Sequence, residues 1–158
     1  MTTNERPPRT AAGDALSALV VQVFQLNGML TAAGDALARP AGQTTARWQV
    51  LAAAEYAPMT VAQIARALHL ARQSVQRVAD ILVADGLATF EENPGHRRAK
   101  LLRLTSDGER ALAVIQEAQR VWADTIGAAV GEEDLRAAGA VLERVMGSLA
   151  ATRPPAGE

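Results

Sequence analysis

Apolar positions recur along this chain at two periods, three-to-four residues over most of its length and two residues over one short central stretch. Leu16, Leu19, Val20, Val23, Leu26, Asn27 and Leu30 share one face of a helix that runs to about Leu37, where Pro40 and Gly42 stop it. Thr44 or Thr45 caps a second helix carrying Trp48, Val50, Leu51 and Ala54, which ends near Tyr56 because Pro58 cannot continue it. Thr60 starts a third helix, and Gln63 three residues on completes a capping box. Ile64, Leu68, Leu70, Val75 and Val78, with small Ala65 at the crossing, stand where a helix-turn-helix buries its apolar side chains, although His69 occupies the turn position that often carries glycine. Beyond Gly86 the period drops to two. Leu87 to Glu92, Asn93-Pro94-Gly95 and Arg98 to Leu104 read as a β-hairpin.

After the hairpin, Thr105 or Ser106 caps a helix with Glu109 three residues after Ser106, and Leu112, Ile115, Ala118 and Val121-Trp122 carry it to about Ala129. Gly131 breaks it. Glu132, Glu133 and Asp134 open a last helix at its positive dipole end. There Leu135, Ala138, Leu142, Val145 and Leu149 form a heptad seam, which suits packing within the chain or against a second chain. The expected fold class is mainly α with a small β-hairpin wing (α+β), a winged helix-turn-helix lobe plus a helical dimerisation region. Residues 12–151 form a single domain, with the lobe at about 44–104 and dimerisation helices at 12–38 and 105–151. Residues 1–11 and 152–158 read as disordered tails.

Charge changes this picture more than size does. The chain of 158 residues carries a formal charge of −1, yet its distribution is uneven. From Thr60 to Leu104, Arg66, Arg72, Arg77, Arg97, Arg98, Lys100 and Arg103 outweigh Asp80, Asp85, Glu91 and Glu92, a local charge of +3 that leaves −4 elsewhere. On the second helix of the pair, Arg72, Gln73, Gln76, Arg77 and Asp80 lie opposite the apolar face. Such a face can be merely solvated, but arginine donates to guanine and glutamine pairs with adenine in the major groove. The hairpin tip adds His96, Arg97, Arg98 and Lys100, placed to reach a minor groove or backbone.

The absence of cysteine excludes disulfides and thiolate metal sites, and His69 and His96 lack ligand spacing, so neither metal nor cofactor is expected. Ser17, Ser74, Ser106 and Ser148 sit on helical or cap positions without a paired base, which argues against an enzyme. No apolar run reads as approaching a bilayer span, and no apolar stretch follows Arg6 and Arg9, so a cytoplasmic location without membrane contact is expected.

Arg47-Trp48-Gln49-Val50-Leu51, Thr60-Val61-Ala62-Gln63-Ile64-Ala65, Ala71-Arg72-Gln73-Ser74-Val75-Gln76-Arg77, Asp85-Gly86-Leu87, Asn93-Pro94 with Arg97-Arg98-Ala99-Lys100, and Leu104-Thr105 follow one another in an order that resembles the MarR family over about residues 14 to 150. The resemblance implies a homodimeric, sequence-specific DNA-binding transcriptional regulator, a repressor on a near-palindromic operator. The helix near Ala71 would read the major groove, with Arg72, Gln73, Ser74, Gln76 and Arg77 as contacts, and Arg98 would enter the minor groove. It also implies release by a small aromatic or anionic effector, for which Phe24, Asn27, Arg47 and Trp48 are candidate pocket residues, although core packing explains Phe24 and Trp48 more simply. His96 replaces the aspartate usual in the wing, Ala71 a Ser or Thr cap, and Ile81 a frequent arginine. With histidine in the wing, DNA affinity is expected to fall as pH rises. The competing class is a winged-helix protein-interaction or ligand-sensing module that does not bind DNA specifically.

Overall fold

The computed structural model describes residues 10–152, and the expectations for the outermost tail residues lie outside it. The described chain divides into two compact units that part between Ile115 and Gln116. In the first, α1 (Ala11–Ala38) is followed by a 3-10 turn (Arg39–Ala41), α2 (Thr45–Ala53), β1 (Met59–Thr60), α3 (Val61–Ala67), α4 (Arg72–Ala84), β2 (Ala88–Glu91) and β3 (Leu101–Leu104). α5 (Ser106–Val130) begins in the first unit and α6 (Glu132–Ala151) lies in the second.

The helix starts follow local chemistry. Thr10 accepts a bond from the Gly13 amide and Thr44 one from the Arg47 amide, so α1 starts inside the expected tail. Thr60 and Gln63 form the expected reciprocal capping box. At α5 the cap is Thr105, the first of the two expected candidates, rather than Ser106 paired with Glu109. The Thr105 hydroxyl takes the Gly108 amide at 3.2 Å and itself donates to the Gly86 carbonyl at 2.6 Å, which fixes the cap one residue earlier.

The hairpin gains a third strand. β3 lies between β1 and β2, antiparallel to both, with Met59 and Phe90 each opposite Leu102. Leu102 is fully buried, and with Leu51, Ile64, Leu82 and Leu112 it centres the core of the lobe. Burying each such side chain contributes about 1.5–3 kcal/mol. Leu70 was expected in that core but is 45% exposed. It lies just beyond the turn and before α4, where the chain runs along the surface.

α1 behaves differently. Of its residues only Gly34 and Ala38 are buried, and Phe24, expected in the core, is 72% exposed. Its end is tied to α2. Asp35 accepts the Thr45 amide at 2.7 Å, and the Thr45 hydroxyl donates to the Thr31 carbonyl at 2.8 Å. The Thr45 amide, with the Thr45 side chain and nearby Arg39 adding to it, holds the Asp35 carboxyl below its ordinary value. By length and composition alone, an 18-residue window within Ala11–Ala41, of mean hydropathy 1.4, is also apolar enough to cross a bilayer. This corrects the sequence reading, which Gln22, Gln25, Asn27 and Thr31 misled by interrupting the apolar run without adding charge between Asp14 and Asp35. In the second unit Leu135 and Leu149 of the heptad seam are likewise exposed.

Candidate nucleic-acid interface

The turn into α4 is a Schellman closure. The Leu70 amide donates to the Ala65 carbonyl at 2.9 Å and the His69 amide to Arg66 at 3.3 Å, which places His69 in the left-handed region at φ 53°. α4 then starts at Ala71 without a side-chain cap. Val75, Ala79 and Leu82 anchor its inner face, leaving Arg72, Gln73, Ser74 and Arg77 exposed and Gln76 half-buried. The Gln76 amide nitrogen donates to Asp80 at 2.8 Å.

The wing is braced. Where the strands lead into the tip, Arg103 donates to Glu91 at 2.7 Å across β3 and β2. At its tip the Asn93 side chain accepts the Gly95 amide, the His96 amide donates to the Asn93 carbonyl, and the Ala99 amide donates to the His96 carbonyl. These successive turns leave His96, Arg97, Arg98 and Lys100 exposed. Where wing and helix face each other, a cleft of about 240 Å³ is lined by Arg72 and Gln76 of α4 and by Arg98, Ala99 and Lys100 of the wing, with Thr60, Val61, Ala62 and Phe90 as its other walls. The structure thus brings four of the sequence-chosen residues together. Gln73, Ser74, Arg77, His96 and Arg97 flank the cleft in sequence without lining it. Sequence reasoning found the α3 start at Thr60 but did not place Thr60, Val61, Ala62 or Phe90 around the cleft, since their roles as walls depend on the sheet pairing, and it missed the bond from Gln76 to Asp80, for which the i,i+4 spacing was a signal.

The four candidate effector residues have separate surroundings. Arg47 forms an ion pair with Asp85 at the end of α4, and its Nε is buried without a partner. Trp48 is partly buried against the lobe core. Asn27 is exposed on α1, as Phe24 is, and its carbonyl accepts the Thr31 hydroxyl. Among the described residues no group of three or more His, Asp or Glu side chains is placed to hold a metal ion.

A recognition helix following a tight turn, with a basic hairpin beside it, defines a winged helix-turn-helix. The MarR family profile matches residues 41–99. An uncharacterised protein of Mycobacterium tuberculosis (strain ATCC 25618 / H37Rv) is 42% identical over 141 residues, covering 89% of this chain and 99% of its own. A protein of Mycobacterium bovis matches equally. The chain belongs to the MarR family. Its fold is that of the MarR transcription regulator SP03579, with TM-score 0.76 and 24% identity over 89% of this chain and 95% of that one. It is also that of the Mycobacterium tuberculosis regulator MosR in complex with DNA, with TM-score 0.69 and 23% identity over 82% and 96% of the two chains. The repressor CouR bound to a 23-mer DNA duplex matches at TM-score 0.74 and 20% identity, over 88% and 99%.

Proposed function

We propose that this protein is a cytoplasmic transcriptional repressor, a binding protein rather than an enzyme, that acts as a homodimer on a near-palindromic DNA operator. The observation that carries this reading is the meeting of Arg72 and Gln76 with Arg98 and Lys100 around one cleft, while none of Arg72, Arg77, Arg97, Arg98 and Lys100 has an ion-pair partner among the described residues. Free guanidinium groups and a glutamine amide on a helix of this size are the groups that read base edges, and cations on the adjacent hairpin hold phosphates. Arg72, Gln73, Ser74, Gln76 and Arg77 are the major-groove candidates. Arg98 enters the minor groove, Arg97 and Lys100 hold the backbone, and His96 stands beside them at the wing tip. The exposed apolar faces of α1 and α6 support the homodimer, because a chain leaving Phe24, Met29 and Leu149 uncovered gains by burying them against a copy.

Selection of bound sequences from a random duplex library, followed by affinity measurement at two salt concentrations, tests the reading. Two dyad-related half-sites about one helical turn apart are expected. Equal affinity for selected and random duplexes would overturn it in favour of the protein-interaction module. Control by a small aromatic or anionic effector is supported by the cleft itself, since three cations and Phe90 suit an aromatic carboxylate that would compete with DNA for Arg72 and Arg98. Benzoate displacing the selected duplex would support this second reading, and undisturbed binding at millimolar benzoate would count against it.

A further inference from the structure

Gln76 and Asp80 lie one turn apart on the outward side of α4, and their bond has a direction. The amide nitrogen of Gln76 donates to the Asp80 carboxylate, at 2.8 Å. An ionised carboxylate only accepts. With the amide turned over, its oxygen would face a carboxylate oxygen with no proton between them, so Asp80 decides which end of the amide is which. A charged acceptor strengthens the bond. Arg77, three residues before Asp80, is a natural competitor for that carboxylate, yet no ion pair between them forms. Gln76 is moreover half-buried in the cleft wall that it shares with Arg72, Phe90 and Arg98, which narrows the space its side chain can sweep.

A freely turning glutamine can offer either a donor or an acceptor to a base edge. One whose nitrogen is held keeps its oxygen as a fixed acceptor, with the second N–H beside it. In the major groove adenine N6 and cytosine N4 are donors, whereas guanine O6 and thymine O4 are acceptors. We propose that Asp80 is a positioning residue that commits Gln76 to a base carrying an amino group, adenine first because its N7 also takes the remaining N–H, and disfavours guanine and thymine at that position. The proposal rests on the DNA-reading function proposed above.

Sequencing of duplexes selected by the full-length protein and by Gln76→Ala, Asp80→Asn, Asp80→Ala and Asp80→Glu tests it. The unmodified protein is expected to select adenine, with cytosine second, at one position of each half-site. Gln76→Ala should lose that preference by roughly tenfold. Asp80→Asn keeps the size of the side chain but can donate as well as accept, so it should lose several-fold preference at that same position, as should Asp80→Ala, while Asp80→Glu restores much of it. Removing the negative charge should also raise affinity for every duplex alike, which the ratio between bases cancels. Unfolding temperatures of the variants identify any loss of structure. Relaxation at the Gln76 position in the Asp80→Asn and Asp80→Ala variants supports the assignment. An unchanged base ratio in both, or relaxation at a different position, overturns it alone. The absence of any base preference in the unmodified protein overturns the DNA-reading function, and this proposal with it.

Discussion

Replacing Gly108 by alanine should unfasten α5 from the end of α4. A Cβ at residue 108 would lie 2.0 Å from the Leu87 carbonyl oxygen and 3.0 Å from its carbon. Ordinary contact requires a separation more than an ångström longer. The obstacle is backbone, so no side chain can rotate out of the way. That carbonyl accepts the Thr105 amide at 3.1 Å, and the neighbouring Gly86 carbonyl accepts the Thr105 hydroxyl, so any shift that relieves the clash stretches both bonds. Each is worth about 0.5–1.5 kcal/mol net. Overpacking costs about 1–3 kcal/mol, and the better helix propensity of alanine returns up to about 1 kcal/mol. The net loss is about 1–6 kcal/mol, or a fall in Tm of roughly 2–24 °C for a chain of this length. Circular dichroism during thermal and urea unfolding measures it. Gly147→Ala on α6 is the control, since nothing lies within 4 Å of its added Cβ and a small gain is expected. A Gly108→Ala variant that melts within a degree of the unmodified protein would refute the close approach.

His69 holds a left-handed conformation that costs a side-chain-bearing residue about 1–2 kcal/mol, so His69→Gly should stabilise by up to about 1 kcal/mol after the added chain entropy, read as a higher urea midpoint. Asp35 has its folded pKa lowered, chiefly by the Thr45 amide, so its contribution is complete above the ordinary value of 3.8 and disappears as pH falls through the lowered one. The stability difference between the unmodified protein and Asp35→Ala should therefore be constant from pH 7 to about pH 5 and shrink below about pH 4; a difference that persists undiminished at pH 2 contradicts the assignment. Phe24→Glu should leave the fold of each chain intact, since Phe24 is 72% exposed, but weaken a symmetric dimer by about 3–6 kcal/mol, which sedimentation reads as a Kd raised by two to four orders of magnitude. Lys100→Ala and Arg97→Ala should each weaken specific and random DNA alike and reduce the salt slope by about one. A change confined to one sequence would instead make that residue a base reader.

Features set by neighbouring residues were legible in the sequence. Thr60 and Gln63 advertised a helix start because both halves of the capping box lie within four residues, and Val75, Ala79 and Leu82 show the helical period of α4 directly. The basic wing was equally visible, since Asn93-Pro94-Gly95 makes a turn whatever surrounds it. Features created by distant partners were not. Met59 and Thr60 form a strand only because Leu101 and Leu102 lie opposite them, and two residues cannot display alternation. Arg47 looked available for a ligand because Asp85 is far along the chain. Phe24 matched a core position by period alone, but periodicity identifies an apolar face without identifying what covers it. The turn at His69 was placed correctly while its conformation was not, because the Schellman bonds that impose φ 53° depend on where Leu70 goes next.

The ion pairs of the lobe have a consequence for how the protein behaves as a charged body. Asp85 is matched by Arg47 and Glu91 by Arg103, so two of the four acidic side chains between Thr60 and Leu104 are neutralised locally, and Asp80 is engaged with Gln76. Asp80 keeps its charge, because the Gln76 amide is neutral, and so does Glu92, but the unpaired arginines and Lys100 outnumber them and dominate the field of this region, although the molecule as a whole has a pI near 6.1. Its net charge and its polyanion-binding face have opposite signs. At pH 7 and about 0.1 M salt, where the Debye length is about 10 Å, charges farther apart than that are screened from one another, so each region acts separately on a charged surface. The protein should be retained both by an anion exchanger, through its acidic remainder, and by heparin, through the wing and α4. Retention by both supports is what one global charge could not produce, and Arg97→Glu combined with Lys100→Glu should abolish the heparin half of it while tightening the hold of the anion exchanger.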